Sequence, residues 1–391
     1  MSKSCPICQS SKSKLFFTLP DMPVSIGVQW PSSSAAKACK KGDLELAFCE
    51  SCGFIWNQAF DDSRLEYSQS YDNSLDYSPV FQKYALGLAR RLIDTYEISN
   101  KQVVELGCGK GHFLSLLCEQ GNNKGVGFDP SYEGERMDSP VSNQIEYIQD
   151  FYGEKYTDRP GDLICCRHVL EHIKDPVGFL ASTRQTVGGR GESIVYFEVP
   201  NVRLILEKLS VWDIIYEHCN YFSIESLTAI FQQEGFEVLQ SSEAYDGQFL
   251  GLEAKINNVE SGKNAKSWGD VKQLQALVDS FVVKLQERME LWKSRLKEYE
   301  AQNKKTVIWG AGAKTVGFVN MLKIDSQISS VVDINPHKQG LHLAGTGQKI
   351  VAPEFLKELN PEVVILMNPI YKAEISKQLS SMGIKAELVD A

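Results

Sequence analysis

The stretch that decides the fold reads Val103-Val104-Glu105-Leu106-Gly107-Cys108-Gly109-Lys110-Gly111. Its apolar start predicts a buried strand, its alternating glycines predict a tight turn, and residues 112–120 predict a helix. Glycines at such a turn let the backbone approach a ligand that lies at the helix N-terminus. About 20 residues further on, a second predicted strand ends in Asp129, whose carboxylate can accept hydrogen bonds from ribose hydroxyls. The stretch therefore predicts a cofactor site in an α/β fold.

The sequence on either side continues the alternation of strands and helices. Further strand patterns lie at residues 145–148, 162–166 and 193–200, and those at 236–239 and 249–255 predict an antiparallel hairpin. Residues 264–303 predict a polar helix with one apolar stripe. Residues 304–391 predict a second α/β unit with buried parallel strands at 305–309, 329–333 and 363–367.

Four cysteines near the N-terminus form two Cys-x-x-Cys pairs, Cys5 with Cys8 and Cys49 with Cys52. Four thiolates at this spacing predict a closed tetrahedral zinc site, and closed sites are structural. The alternative is two disulfides, which a reducing cytosol disfavours. Cys39 lies outside the pattern, and we do not expect it to be a ligand.

Composition narrows the class of protein. The chain has 391 residues and a formal net charge of -9, which argues against a general nucleic-acid binder because such proteins carry a basic face. No apolar run approaches the roughly 18 residues that span a bilayer, and the N-terminus lacks the apolar core of a signal peptide. We therefore expect a cytoplasmic protein with a small-molecule substrate and neither a nucleic-acid nor a membrane partner. The sequence does not fix the oligomeric state, and a monomer is our working expectation.

Tyr216, Glu217 and His218 follow the fifth predicted strand and combine a phenol, an acid and a base. Histidine is the usual general base near neutral pH, and a flanking acid can fix its tautomer. The competing interpretation is that the Glu217–His218 pair only hydrogen-bonds a loop. His172 and His168 follow the fourth predicted strand and lie either at the pocket or in the core.

The acid before the glycines gives the pattern Glu-x-Gly-x-Gly-x-Gly, which resembles motif I of the class I methyltransferases more than a dinucleotide-binding turn. The resemblance implies S-adenosylmethionine as the cofactor, and Asp150 falls where such enzymes contact the adenine. The candidate cofactor residues are Glu105, Gly107, Cys108, Gly109, Gly111, Asp129, Asp150 and His168.

The assembled pattern resembles the nucleotide-sugar C-methyltransferases of deoxysugar and lipopolysaccharide biosynthesis. The resemblance rests on the four cysteines, on the block from Tyr216 to Ser223, and on the Gly310-Ala311-Gly312-Ala313-Lys314 turn followed by residues 333–340. It implies a zinc-binding N-terminal domain (1–70), a Rossmann-like class I methyltransferase domain (71–260), a helical connection (261–303) and a Rossmann-like C-terminal substrate domain (304–391).

The same resemblance implies roles for individual residues. It implies that a nucleotide-diphosphate ketosugar is methylated at a carbon next to its carbonyl, with His218 as general base and Glu217 as the acid beside it. His172 would be a second pocket histidine, and the expected active-site tyrosines are Tyr216 and either Tyr71 or Tyr77. The candidate substrate residues, which include a pyrophosphate contact, are Gly310, Gly312, Lys314, Asn335 and Lys338.

Two segments depart from the family pattern. Residues 246–250 lack an arginine that faces substrate in many members, and residues 367–371 are less rich in Trp and Asn. Three other functions therefore stay open: an O- or N-methyltransferase of a non-sugar molecule, a dehydrogenase built on Gly310 and Gly312, and a zinc-dependent nucleic-acid binder. Thr315 stands where a dinucleotide turn needs its third glycine, and the acidic balance opposes nucleic acid.

Overall fold

The computed structural model describes residues 3–65, 74–134, 139–156, 159–187, 193–256, 268–324 and 326–391. In these residues the strands are β1 (Ser13–Pro23), β2 (Lys41–Cys49), β3 (Ile55–Asn57), β4 (Gln102–Leu106), β5 (Lys124–Phe128), β6 (Ile145–Ile148), β7 (Leu163–Arg167), β8 (Ile194–Pro200), β9 (Asn220–Tyr221), β10 (Phe236–Ala244), β11 (Phe249–Ile256), β12 (Thr306–Trp309), β13 (Ser330–Val332), β14 (Ile350–Val351), β15 (Val363–Leu366) and β16 (Glu387–Asp390). The α-helices are α1 (Ser33–Lys37), α2 (Pro79–Tyr96), α3 (His112–Gly121), α4 (Pro176–Val187), α5 (Val202–Lys208), α6 (Ile224–Gln233), α7 (Val271–Ala301), α8 (Ala313–Leu322), α9 (Leu356–Leu359) and α10 (Lys372–Ser381).

The central sheet has the strand order β10-β11-β8-β7-β4-β5-β6. The five strands from β8 to β6 run parallel, and β11 pairs antiparallel with both β8 and β10. The four parallel strands β4, β5, β7 and β8 are almost entirely buried and are therefore mostly apolar. The predicted α/β class and the predicted hairpin are confirmed.

A second parallel sheet, with the order β14-β13-β12-β15-β16, forms the C-terminal domain. Its inner strands β12, β13 and β15 are buried along their whole length. Helix α8 begins directly after the glycine turn that follows β12, which is the Rossmann-like arrangement predicted from the sequence. Ligands bind at the carboxyl ends of parallel strands, so the carboxyl end of each of these two sheets is a candidate binding site.

The N-terminal sheet has the order β1-β2-β3-β9. Its last strand comes from the middle of the chain, since Ile55 pairs with Tyr221 and Trp56 with Asn220. The cysteine-bearing segment is thus joined by backbone hydrogen bonds to the residues that directly follow His218. The N-terminal sheet therefore fixes the backbone that directly follows His218.

Helix α7 carries the apolar stripe that the sequence shows. Its buried residues are Leu274, Val278, Phe281, Leu285, Trp292, Leu296 and Tyr299. They lie in one core with side chains from the N-terminal sheet, helix α5 and the C-terminal domain. In the described ranges, no helix has both the length and the apolar character that a membrane span requires.

The contact between the N-terminal sheet and the loop before His218 allows a test of stability. A Cβ atom at Gly42 would lie 2.4 Å from the ring of Tyr216, which is 1% exposed and cannot move aside. We expect Gly42→Ala to lower the free energy of unfolding by about 1–3 kcal/mol through overpacking. Gly87→Ala in helix α2 is the matched control, because nothing lies within 4 Å of its new methyl group. Equal denaturant midpoints for the two variants would contradict this packing.

Candidate active site

A cleft with a volume of about 680 Å³ lies where the carboxyl ends of the two parallel sheets face each other. Most of the residues singled out from the sequence line it: Tyr77, Glu105, Gly107, Cys108, Gly109, Asp129, Asp150, His168, His172, His218, Gly310, Gly312, Lys314, Asn335 and Lys338. Gly111, Tyr216 and Glu217 are not among its lining residues, and Tyr71 lies outside the described residues. The cleft thus has one wall from each Rossmann-like domain.

The glycine turn after β4 belongs to the wall of the cleft that the central sheet provides. Gly107 has a φ of 69°, and a Cβ atom there would lie 2.2 Å from a methyl group of Val169, so only glycine fits. The backbone N–H of Gly109 donates to Asp129 Oδ2 at 2.8 Å. Asp129 Oδ1 accepts from the N–H and the hydroxyl of Ser131, both at 2.7 Å. These bonds fix the Asp129 carboxylate at the end of β5, facing the cleft.

Asp150 lies on the rim of the cleft, after β6. Its carboxylate accepts a hydrogen bond from the hydroxyl of Tyr156 at 2.7 Å and pairs with Lys155. The neighbouring side chain of Phe151 is 63% exposed and also lines the cleft. An acid followed by an exposed aromatic ring at this position suits a heteroaromatic ligand.

Glu105 is the buried acid of the glycine motif. It is 3% exposed, and within the described part of the chain its Oε2 has no hydrogen-bond partner. Burial raises the pKa of Glu105 to about 8, although Arg167 opposes the shift. A buried carboxylate oxygen without a donor at the cleft fits a ligand that carries an ammonium group. Together with the fixed Asp129 carboxylate, these residues fit S-adenosylmethionine, which has both an ammonium group and a ribose.

The raised pKa of Glu105 predicts a pH dependence for ligand binding. The free protein holds this carboxyl protonated below about pH 8, whereas a bound ammonium group favours the carboxylate. The affinity for S-adenosylhomocysteine should therefore rise with pH by up to about tenfold per unit below pH 8, and level off above it. Titration calorimetry at several pH values tests this expectation, and Glu105→Gln should remove the slope. The same slope in wild type and variant would contradict the assignment.

His168 lies at the end of β7 with a φ of 56°, an unusual conformation for a residue other than glycine. Its Nε2 lies 3.1 Å from Glu198 Oε1, and its Nδ1 lies 3.6 Å from Glu171 Oε1. Burial lowers the pKa of His168, but the two carboxylates outweigh burial and raise it to about 9. His168 therefore brings a positive charge to the cleft at neutral pH.

Sequence reasoning missed the ion pair that supports His168. Arg167 donates two hydrogen bonds to Glu198 Oε1, at 2.8 and 3.0 Å, and Tyr84 and Tyr196 both bond to Glu198 Oε2. Burial alone would raise the pKa of Glu198, yet Arg167 and His168 hold it below its usual range. The sequence does contain one indication of this ion pair, because strand β8 is apolar except for Glu198 and a buried carboxylate needs a partner.

His172 and His218 both line the cleft and contact each other, with their ring centroids 4.9 Å apart. His172 Nδ1 lies 3.1 Å from the backbone carbonyl oxygen of Glu217, the residue before His218. Burial holds the pKa of His218 well below its usual range, so the imidazole is neutral at physiological pH. A neutral, buried imidazole is in the protonation state that a general base requires.

Glu171 belongs to the same cluster and was not singled out from the sequence. It is 1% exposed, and its Oε2 has no hydrogen-bond partner among the described residues. Glu171, His172 and His218 each offer a donor atom within 4.8 Å of the others. Two imidazoles and a carboxylate at this distance can exchange protons with a ligand or hold a divalent cation.

The structure places two expected active-site residues elsewhere. The Tyr216 hydroxyl accepts a hydrogen bond from the backbone N–H of Asp61 at 3.0 Å, and its ring packs on Phe60. Glu217 Oε1 accepts from the backbone N–H of Ile26 at 2.6 Å. Both side chains are buried against the N-terminal segment, and neither is among the residues that line the cleft. Tyr77, by contrast, lines the cleft, with its ring centroid 6.4 Å from that of His337.

The C-terminal wall is built on the turn after β12. Asp333 holds this turn, because its Oδ2 accepts from the backbone N–H of Ala311 at 2.6 Å and its Oδ1 from that of Asn335 at 2.8 Å. Lys338 is 3% exposed, and within the described ranges its ammonium makes one hydrogen bond, 3.4 Å long, to the carbonyl oxygen of Ala311. Lys314 instead pairs with Asp213 of the methyltransferase-like wall, at 2.6 Å.

The two segments that depart from the family pattern meet each other across the cleft. The side-chain amides of Gln248 and Asn368 form two reciprocal hydrogen bonds, at 3.2 and 2.7 Å. Beside them, the Tyr245 hydroxyl bonds to that of Tyr371 at 2.7 Å. The two segments that differ from the family pattern therefore contact each other, and these contacts join the two domains beside the cleft.

The four N-terminal cysteines form a compact buried cluster. The sulfur atoms of Cys5 and Cys52 are 3.6 Å apart, and those of Cys8 and Cys49 are 3.5 Å apart. All four ligand atoms lie within 4.8 Å of one another, as a single metal ion requires. Cys39 is buried at a different position and is not part of the cluster.

Comparison with protein families gives two matches that do not overlap. A model described as a methyltransferase domain matches residues 80–241, and a model described as a C-methyltransferase C-terminal domain matches residues 256–387. The first range contains the glycine turn and His218, and the second contains the C-terminal wall of the cleft.

Similar proteins share only part of the chain. A tRNA U34 carboxymethyltransferase of Aliarcobacter butzleri is 28% identical over 110 residues, which are 26% of this chain and 34% of that protein. A ubiquinone biosynthesis O-methyltransferase of Pasteurella multocida is 25% identical over 146 residues, 34% of this chain and 59% of that protein. Among solved structures, a 1,6-didemethyltoxoflavin-N1-methyltransferase of Burkholderia thailandensis aligns over 46% of this chain and 82% of that chain, with 14% identity and a TM-score of 0.34.

The two family matches agree with the strand order of the central sheet and with the glycine turn at its centre. They show that the chain contains a methyltransferase domain followed by a C-methyltransferase C-terminal domain.

Proposed function

We propose that the enzyme methylates a carbon next to the ketone of a nucleotide-linked deoxysugar, with His218 as the general base. The observation that carries this proposal is the position of His218, a neutral buried imidazole between the glycine turn of one domain and the C-terminal wall of the other. A carbon acceptor needs a proton removed before it becomes nucleophilic, whereas most oxygen and nitrogen acceptors need less help. The matched C-methyltransferase C-terminal domain supports a carbon acceptor.

His218 performs the first step. Its ring packs against that of His172, with the centroids 4.9 Å apart, and the neutral imidazole has one nitrogen lone pair available for the acceptor proton. That nitrogen takes the proton from the carbon next to the ketone, and the C–H electron pair becomes the enolate. The positively charged His168 lies in the same cleft and stabilises the developing negative charge. The opposite pKa shifts of His168 and His218 suit an electrostatic stabiliser and a base, respectively.

The cofactor side has a separate task. S-adenosylmethionine would bind at the glycine turn and would supply the electrophilic methyl group to which the enolate carbon bonds. Glu105 and Asp129 would hold the ammonium group and the ribose, and Asp150 with Phe151 would hold the adenine.

The C-terminal wall suits the diphosphate of the substrate. Lys338 is a buried cation beside the turn at Gly310 and Gly312, and helix α8 begins at this turn. Backbone N–H groups at a helix N-terminus and a nearby lysine form a favourable site for phosphate oxygens. Lys338 and Asn335 are therefore the proposed substrate contacts, while Lys314 is already paired with Asp213.

The base assignment predicts proton exchange without methyl transfer. With S-adenosylhomocysteine bound, wild type should exchange the proton next to the ketone of a nucleotide-linked 4-ketosugar for deuterium from D₂O, which proton NMR detects. His218→Ala should slow this exchange by about 10²–10⁴-fold, the usual contribution of a general base. His342→Ala, which changes a histidine that does not line the cleft, is the control and should exchange at the wild-type rate.

Two outcomes would contradict the base assignment. Normal methyl transfer by His218→Ala would favour the O- or N-methyltransferase alternative, in which no carbon acid is deprotonated. Exchange that requires a second equivalent of a divalent metal, beyond that held by the cysteines, would make His218 a ligand of the Glu171–His172–His218 cluster.

We also propose that the cysteine cluster holds one structural zinc ion. Metal analysis of the purified protein should find about one zinc per chain, because four thiolates close the coordination sphere. Cys52→Ser should lose the zinc and lower the melting temperature, since the cluster anchors the N-terminal sheet. Cys39→Ser should keep the zinc. A zinc-free protein with the four cysteines in disulfides would overturn the proposal.

A further inference from the structure

Lys314 is the first-turn lysine of helix α8, and the resemblance suggested that it contacts the substrate. In the structure its ammonium lies 2.6 Å from Asp213 Oδ2, and both side chains are little exposed, 22% for Lys314 and 23% for Asp213. Ser210 adds a hydrogen bond from its hydroxyl to the same Asp213 oxygen, at 2.9 Å. The Asp213 carboxylate is thus held between its own loop and the C-terminal domain.

Asp213 lies five positions before His218 in the same loop, and both residues line the cleft. Backbone hydrogen bonds close the turns of this loop, from Asp213 to Ser210 at 3.1 Å and from His218 to Ile215 at 3.2 Å. A shift of Asp213 therefore moves the backbone that carries the imidazole. The pairing of Asp213 with Lys314 thus joins the C-terminal domain to the loop that carries the base.

The rest of the loop is seated on helix α8 with little freedom. Trp212 is 1% exposed, and its ring meets that of Phe318 edge-on at 4.7 Å. A Cβ atom at Gly317 would lie 2.7 Å from the Trp212 carbonyl oxygen, so the loop backbone lies directly on the helix. The same helix begins at the glycine turn proposed to take the diphosphate. Helix α8 therefore contacts both the substrate site and the loop that carries the base.

We infer that Lys314 is a positioning residue: through its ion pair with Asp213 it holds the loop from Ser210 to His218 on helix α8, and so keeps the His218 imidazole in the orientation that removal of the acceptor proton requires. This inference rests on the proposed role of His218 as base. It gives the C-terminal domain a part in proton transfer in addition to its part in binding substrate. Lys314 and Lys338 differ in their partners. Lys314 forms an ion pair with Asp213, whereas the ammonium of Lys338 makes a single long hydrogen bond within the described residues.

The test separates positioning from substrate contact. Lys314→Met and Lys338→Met are compared in steady-state methyl transfer and in deuterium exchange with saturating ketosugar. For Lys314→Met we expect kcat and the exchange rate to fall about tenfold or more, with KM changed less than about twofold. For Lys338→Met we expect mainly a raised KM for the nucleotide-linked sugar, with exchange at saturation close to wild type.

Two further variants exclude a general loss of structure. Lys314→Arg keeps a cation that can reach Asp213 and should recover most of the exchange rate. Asp213→Asn removes the ion pair from the other side; it should resemble Lys314→Met, and the double variant should be no slower than either single one. Binding of S-adenosylhomocysteine should be unchanged in all of them.

Three results would overturn the inference. They are a raised KM with normal exchange at saturation in Lys314→Met, effects of Lys314→Met and Asp213→Asn that multiply in the double variant, and no recovery in Lys314→Arg. Absence of exchange in wild type with every ketosugar would instead refute the proposed function, so the two failures can be told apart.

Discussion

The structure depends on how the segment from Ser210 to Tyr221 is held. This segment has little regular structure of its own, yet it carries His218, which lines the cleft. At one end of the segment, β9 pairs with β3 of the N-terminal sheet. At the other end, Trp212 packs on Phe318 of helix α8, and Asp213 pairs with Lys314 of the same helix. A histidine on an unsupported loop would lack a defined ring orientation, and proton transfer requires one.

This constraint explains why the chain needs three folded parts. The central sheet alone provides the glycine turn and the acids of a cofactor site. The cysteine cluster closes the N-terminal segment on itself, which gives β9 a sheet to join. The C-terminal sheet supplies the second wall, and its first helix contacts the loop. Each part also buries apolar surface of the others, since one core contains residues from β1, β2, α5, α7 and α8.

Features encoded by short segments could be predicted from the sequence. The α/β class, the hairpin and the glycine turn follow from local patterns, and the cysteine quartet from its spacing. The directions of neighbouring side chains could not be predicted, because the path of the segment from Tyr216 to His218 is set by distant contacts. Tyr216 and Glu217 point to Asp61 and Ile26, more than 150 positions away along the chain, and only His218 reaches the cleft. The ion pair of Arg167 with Glu198 and the pairing of Lys314 with Asp213 are likewise contacts between distant segments that no motif encodes.

The position of the transferred methyl group in the product shows directly whether the acceptor atom is a carbon. S-adenosylmethionine labelled with ¹³C in its methyl group is incubated with the enzyme and a panel of nucleotide-linked 4-ketosugars, and the products are examined by NMR. We expect a labelled methyl group bonded to a ring carbon next to the ketone, seen from its coupling to the carbon skeleton. Label on an oxygen or nitrogen, or binding of the cofactor with no transfer to any ketosugar, would contradict this expectation.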